Sequence, residues 1–128
     1  MLFLGVQFNP TVGDVVGNAR RIAATLQSIP QWEELLGGTP DLIIFPELAL
    51  CGYPPLDWLE HPSLLADCEE ALEGLAREFP EYPILIGAPE RNTGPGKPLF
   101  NSAFLLRNGG FEKTFRKQLL PTYDVFDE

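Results

Sequence analysis

The residues whose types could do chemistry are an acid, a lysine and two thiols. In the stretch IIFPELALCGYPPLDWL, residues 43–59, an apolar run ends at Pro46 and Glu47 follows at once. No basic residue in the stretch can pair with that acid. Open α/β folds gather their sites at the C-terminal ends of parallel strands, so Glu47 stands where a site would form. Apolar surroundings raise the pKa of a carboxyl, which suits a general base. The alternative is a loop glutamate bonded to backbone amides. Lys117, in TFRKQLLP, follows the last strand-like segment. A lysine there could stabilise negative charge developing on a substrate oxygen, or be a solvated surface lysine.

An acid and an ammonium would suit amide attack by a thiolate. Cys51 lies four residues after Glu47, and Cys68 falls on the apolar face of a helical segment. Both read as buried structural thiols, the commoner use of free cysteine. His61, the single histidine, has no partner motif and reads as a solvated loop residue. Two cysteines and one histidine without metal-like spacing fall short of a structural zinc set.

These residues need elements to hold them. Leu2 to Phe8 and Asp41 to Phe45 read as buried strands. Between them Asp14 can cap a helix whose stripe is Val15, Asn18, Ile22, Leu26 and Ile29, with Pro30 expected to kink or interrupt it. Residues 46–62 form a proline-rich loop. Ser63 is the expected cap of a second helix, with Leu64, Leu65, Cys68, Ala71, Leu72, Leu75, Ala76 and Phe79 inward. Pro83 to Gly87 reads as a third strand, residues 88–98 as a flexible loop, and Leu99 to Arg107 with Phe111 to Arg116 as a hairpin about Asn108-Gly109-Gly110. Residues 117–128 look irregular. The order β-α-β-loop-α-β-β-β implies an α/β fold: a mixed sheet, parallel first and then antiparallel, with both helices on one face. The opposite face is left without a cover.

At 128 residues the chain is long enough for one small domain. Its net charge of −9 argues against nucleic acid and against an anionic membrane surface. No run approaches the ~20 apolar residues of a membrane span, and MLFLGVQFNP lacks a basic leader region. The expectation is a soluble, cytoplasmic protein with free thiols.

Four stretches, QFNPTVGDVVGN, FPELALCGYPPLDWL, LFNSAFLL and FRKQLLPTYDVFDE, together resemble the amidase domain of glutamine-dependent NAD synthetases. That domain belongs to the nitrilase (carbon–nitrogen hydrolase) superfamily. PEL and RKxxLP mark the superfamily; NPTVGD, GYPPLDWL and YDVFDE point to the synthetase branch. The resemblance implies a Glu-Lys-Cys triad. Glu47 would be the base, taking the thiol proton and passing it to departing ammonia, and Lys117 would hold the oxyanion. Tyr123 would match a tyrosine at the glutamine pocket, and Glu128 a second glutamate supporting the lysine. Asp57 lies on a family loop near the site and receives no role.

The resemblance further implies a fold that is half of a nitrilase-type αββα sandwich. Residues 1–128 would be the N-terminal portion of a carbon–nitrogen hydrolase domain, with the nucleophilic cysteine beyond Glu128 and the synthetase domain absent. Such a chain would not hydrolyse glutamine alone. The amidase step would need no cofactor or metal; ATP and magnesium would serve only the synthetase domain. The expected partners are glutamine and either a second copy of the chain or a complementary amidase or synthetase chain. Two other readings stay open: a different amidase or carbamoylase of the superfamily, and a non-catalytic assembly or regulatory half-domain.

Overall fold

In a computed structural model of the chain, residues 1–53, 55 and 60–118 are described. Seven elements follow in order: β1 (Phe3–Gly5), α1 (Val15–Leu36), β2 (Leu42–Ile44), α2 (Pro62–Glu78), β3 (Ile84–Arg91), β4 (Leu99–Arg107) and β5 (Gly110–Arg116). The strands form one sheet in the order β1-β2-β3-β4-β5. β1, β2 and β3 run parallel; β3, β4 and β5 run antiparallel. The mixed α/β architecture is the expected one.

Helix α1 buries Val15, Asn18, Ile22, Leu26 and Ile29, the residues that spacing put on one stripe. Asp14 caps it by accepting a 3.0 Å bond from the Gly17 amide. Gly37 ends it in the left-handed conformation, which a residue without Cβ adopts at no steric cost. Pro30 was expected to interrupt this helix, yet α1 runs unbroken to Leu36. Pro30 itself is exposed, and the bond it removes, to the carbonyl of buried Leu26, is not enough to end the helix.

Helix α2 begins at Pro62 and not after a Ser63 cap. Proline favours a first helical position because its fixed φ suits the helix and its missing N–H would be unpaired there anyway. The helix buries Leu64, Leu65, Cys68, Leu72, Leu75 and Ala76, and Phe79 is buried just past its end.

Two strand boundaries also differ from expectation. β1 spans three residues where seven were expected, because only Phe3, Leu4 and Gly5 find ladder partners on β2. β3 continues through Ala88, Pro89, Glu90 and Arg91, part of the segment read as flexible loop. The long antiparallel ladder with β4, Ile84↔Leu106 through Arg91↔Leu99, pairs those residues. The β4–β5 turn is tight, with positive φ at both Asn108 (53°) and Gly109 (83°).

The core lies between both helices and one face of the sheet. Register puts Leu4, Ile43, Ile84 and Leu106 in one row on that face, followed by Ile86 beside Phe104. On the opposite face Phe3, Leu42, Ile44, Leu85, Leu105, Ala103 and Phe115 fall in register. Phe3 and Phe115 are exposed and the others half-buried. This apolar face has no covering layer among the described residues.

Candidate active site

Glu47 leaves the sheet at the carboxyl end of β2. The Phe45 amide still donates to the Leu85 carbonyl at 2.8 Å, and the chain then turns at Pro46. Leu48 takes φ +49°, a strained conformation for a residue with a side chain. Leu48, Ala49, Leu50 and Cys51 are fully buried, so the turn is fixed by packing.

Gly87 on β3 lets the turn lie against the sheet. A Cβ at that position would stand 2.7 Å from the Pro46 carbonyl oxygen and 2.9 Å from the Glu47 carbonyl carbon, and closer still to the Leu48 amide. Asn18, fully buried on α1, anchors the far end of the turn. Its amide nitrogen donates to the carbonyls of Thr11 (2.8 Å) and Leu50 (3.0 Å), and its oxygen accepts from the Thr11 amide (2.8 Å). The Gly13 amide donates to the Cys51 carbonyl at 2.8 Å.

The acid without a nearby base finds one 70 residues away. Lys117 Nζ donates to Glu47 Oε1 at 2.8 Å, just past the end of β5. The same oxygen accepts a short hydrogen bond from Asn101 Nδ2. The carboxylate therefore meets a cation and an amide, not the apolar neighbours expected. Each of the paired side chains is 39% exposed, so both reach the solvent side of the site. The hydrogen bond that Lys117 donates to Glu47 pushes the lysine above its usual range, with partial burial opposing it and the Glu47 and Tyr53 charges adding to it.

Asn101 joins the pair in two ways. Its side chain holds Glu47, and its carbonyl accepts from the Lys117 amide at 2.8 Å. It is a buried polar residue in the middle of an apolar strand, and that was the available signal for it. It stands within the family-like stretch LFNSAFLL, which by itself attaches no role to it. Gly87 gave no signal beyond a glycine in a strand.

The two thiols are elsewhere in character. Cys51 and Cys68 are free and fully buried. Burial pushes the Cys51 thiol up to about 12, and it pushes the Cys68 thiol up as well, helped by Cys51 and the flanking Asp67 and Glu69. Neither can supply a thiolate near neutral pH. Tyr123, Glu128 and Asp57 lie outside the described residues. No group of three or more His, Cys, Asp or Glu among the described residues could hold a metal ion. No helix among them is long and apolar enough to cross a membrane.

A cleft on the helix-free face is lined by Glu47, Asn101 and Lys117 together with Leu85, Ala103 and Phe115. It offers a carboxylate able to accept a proton beside an ammonium able to hold an oxyanion. Neither described cysteine lines it. The family model that matches this chain, carbon-nitrogen hydrolase, covers residues 6–126 and so includes both groups. The chain belongs to the carbon-nitrogen hydrolase family.

Relatives narrow the branch. The chain is 44% identical to the glutamine-dependent NAD(+) synthetase of Synechocystis sp. over 95% of its own length and 22% of that protein. It is 41% identical to the enzyme of the same name from Xylella fastidiosa over 95% of the chain and 21% of that protein. Among solved structures, the glutamine-dependent NAD+ synthetase of Acinetobacter baumannii in complex with ADP superposes with a TM-score of 0.74 at 31% identity, covering 94% of this chain and 21% of that one. An N-terminal amidase with a Gln-Gly peptide gives 0.67 at 28% identity, over 96% of this chain and 28% of that one. This carbon-nitrogen hydrolase chain thus has the fold of a nitrilase-type fragment. It spans about a fifth of the length of the NAD synthetases it matches.

Proposed function

We propose that this chain forms the first part of a glutamine-hydrolysing amidase domain whose ammonia serves NAD synthesis from nicotinic acid adenine dinucleotide. The observation that carries the proposal is the Lys117–Glu47 contact at 2.8 Å. It joins the PEL and RKxxLP segments into one site on a chain 44% identical to a glutamine-dependent NAD(+) synthetase.

In this reading the nucleophile is a cysteine that follows residue 128 in the complete domain. Its thiol proton passes to Glu47 as sulfur attacks the glutamine carboxamide carbon. Lys117 faces the oxyanion of the tetrahedral intermediate. When that intermediate collapses the C–N bond breaks, and Glu47 returns the proton so that ammonia leaves. Water then attacks the thioester, giving up a proton to Glu47, and glutamate and the free thiol are restored. Tyr123 is assigned to the glutamine pocket and Glu128 to the support of Lys117. The amidase step uses no cofactor, and ATP and magnesium belong to the synthetase step. The uncovered apolar face of the sheet is assigned to the remainder of the amidase domain, on the same or a partner chain. A reducing, cytoplasmic setting agrees with two free buried thiols.

A chimera tests the reading. The matching first segment of the Synechocystis enzyme is replaced by this chain, and ammonia release from glutamine is measured with and without Glu47→Gln. Release that Glu47→Gln abolishes is the expected result. A folded chimera that still makes NAD from supplied ammonia, yet releases none from glutamine, would sink the proposal.

A further inference from the structure

On the reverse of the sheet, directly behind the candidate site, lies a second charged cluster that the proposed chemistry does not use. Arg116 donates to Glu90 through both Nε (2.9 Å) and Nη2 (3.1 Å). Glu90 also accepts from Ser102 Oγ at 2.8 Å, and the Arg116 guanidinium lies 4.3 Å from the centre of the Phe100 ring. Register explains the placement. Ser102 pairs with Arg116 across β4 and β5, so the two point away from the face where the adjacent Asn101 and Lys117 meet Glu47.

β5 is an edge strand, and from Phe111 to Arg116 it is exposed throughout. Little packing holds its end in place. Exposed ion pairs usually contribute little, but a two-bond guanidinium–carboxylate fork with a stacked ring is the geometry that does constrain. Glu90 is a fit anchor because its side chain is only 20% exposed and sits on the long β3–β4 ladder. The Arg116 hydrogen bond holds its carboxyl below the usual range, so it stays charged through the neutral range.

We infer that Glu90 and Arg116 are positioning residues that fix the end of β5 from behind and so hold Lys117 against Glu47 across the sheet. The inference rests on the proposed amidase function. Arg116 and Ser102 also border the cleft, but their side chains meet Glu90 and not Glu47, so the role inferred is to position Lys117.

The test is a double-mutant cycle in the chimera with the Synechocystis enzyme described above, read as ammonia release from glutamine. Arg116→Ala should lower kcat roughly 10- to 100-fold, the cost of a misplaced catalytic group, with KM for glutamine changed less than about 2-fold. Arg116→Lys keeps the charge and loses the fork; it should fold and show the same split to a smaller degree. Adding Arg116→Ala to Lys117→Ala should cost nothing further, because the two act as a unit. The inference is overturned if Arg116→Lys and Arg116→Ala both keep kcat within 2-fold while Glu47→Gln abolishes release. Full additivity with Lys117→Ala would overturn it equally. If Glu47→Gln leaves release unchanged, the amidase reading itself has failed, so the two failures are distinguishable.

Discussion

At the residue scale, an acid with no base in its own segment is explained by a cation brought to it through the fold. Its hydrogen bond to the Glu47 carboxylate holds Lys117 above the ordinary lysine range. The sign follows from the direction. A lysine held above its ordinary range gains its attraction fully below that range and loses it as pH rises through the raised value. Replacing Glu47 by Gln removes the charge and weakens the hydrogen bond, so Lys117 should titrate at a lower pH than in the unaltered protein. Following the lysine Nζ or Cε resonance by NMR from neutral pH upward reads this out. A Lys117 titration that stays put or moves up in Glu47→Gln would show that the contact does not govern it. The thiols set the contrast. Burial moves Cys51 and Cys68 the other way from what a nucleophile needs, so neither suits the thiolate of the proposed mechanism.

At the element scale, the site depends on how closely one backbone passes another. The Pro46-Glu47-Leu48 turn rests on Gly87, and its Leu48 carries a positive φ that only surrounding structure can maintain. A methyl group at residue 87 would meet backbone atoms, which cannot rotate aside. Gly87→Ala should therefore cost about 1–3 kcal/mol of stability as an overpacked site. It should also displace Glu47 from Lys117 and, in the chimera proposed above, lower ammonia release more than the stability loss alone explains. Urea unfolding beside the activity assay measures both, and a variant with unchanged midpoint and activity would refute the close approach.

This scale also separates what was legible in the sequence from what was not. The inward faces of α1 and α2 were legible because helical spacing is a local signal, and Asn18 fell on the stripe although polar. The Asn108-Gly109 turn was legible because positive φ at two successive residues demands those types. The extension of β3 to Arg91 was not, since it arises from pairing with β4 and the local PERNTG sequence reads as loop. For the candidate site, motif residues Glu47 and Lys117 stood out singly. Their contact, and the part of Asn101 and Gly87 in it, depends on register between strands far apart in sequence.

At the scale of the whole molecule, two features oppose each other. One sheet face is apolar and uncovered among the described residues, with Phe3 58% and Phe115 50% exposed on it. Such a face favours association, in line with the proposed role of the remaining amidase domain as its cover. The net charge of −9 opposes association between identical chains by self-repulsion. Salt screens that repulsion, with a Debye length falling from roughly 10 Å at 0.1 M to 3 Å at 1 M, and leaves apolar burial intact. The 128-residue polypeptide made by itself should therefore associate more strongly as protein concentration and salt rise together. Phe115→Glu puts a further negative charge at an exposed position of that face and should reverse the trend. Sedimentation velocity across a salt series, run on the polypeptide and on Phe115→Glu, decides the matter. A polypeptide that stays monomeric at high salt, or associates equally with Glu at residue 115, would show that this face does not drive association.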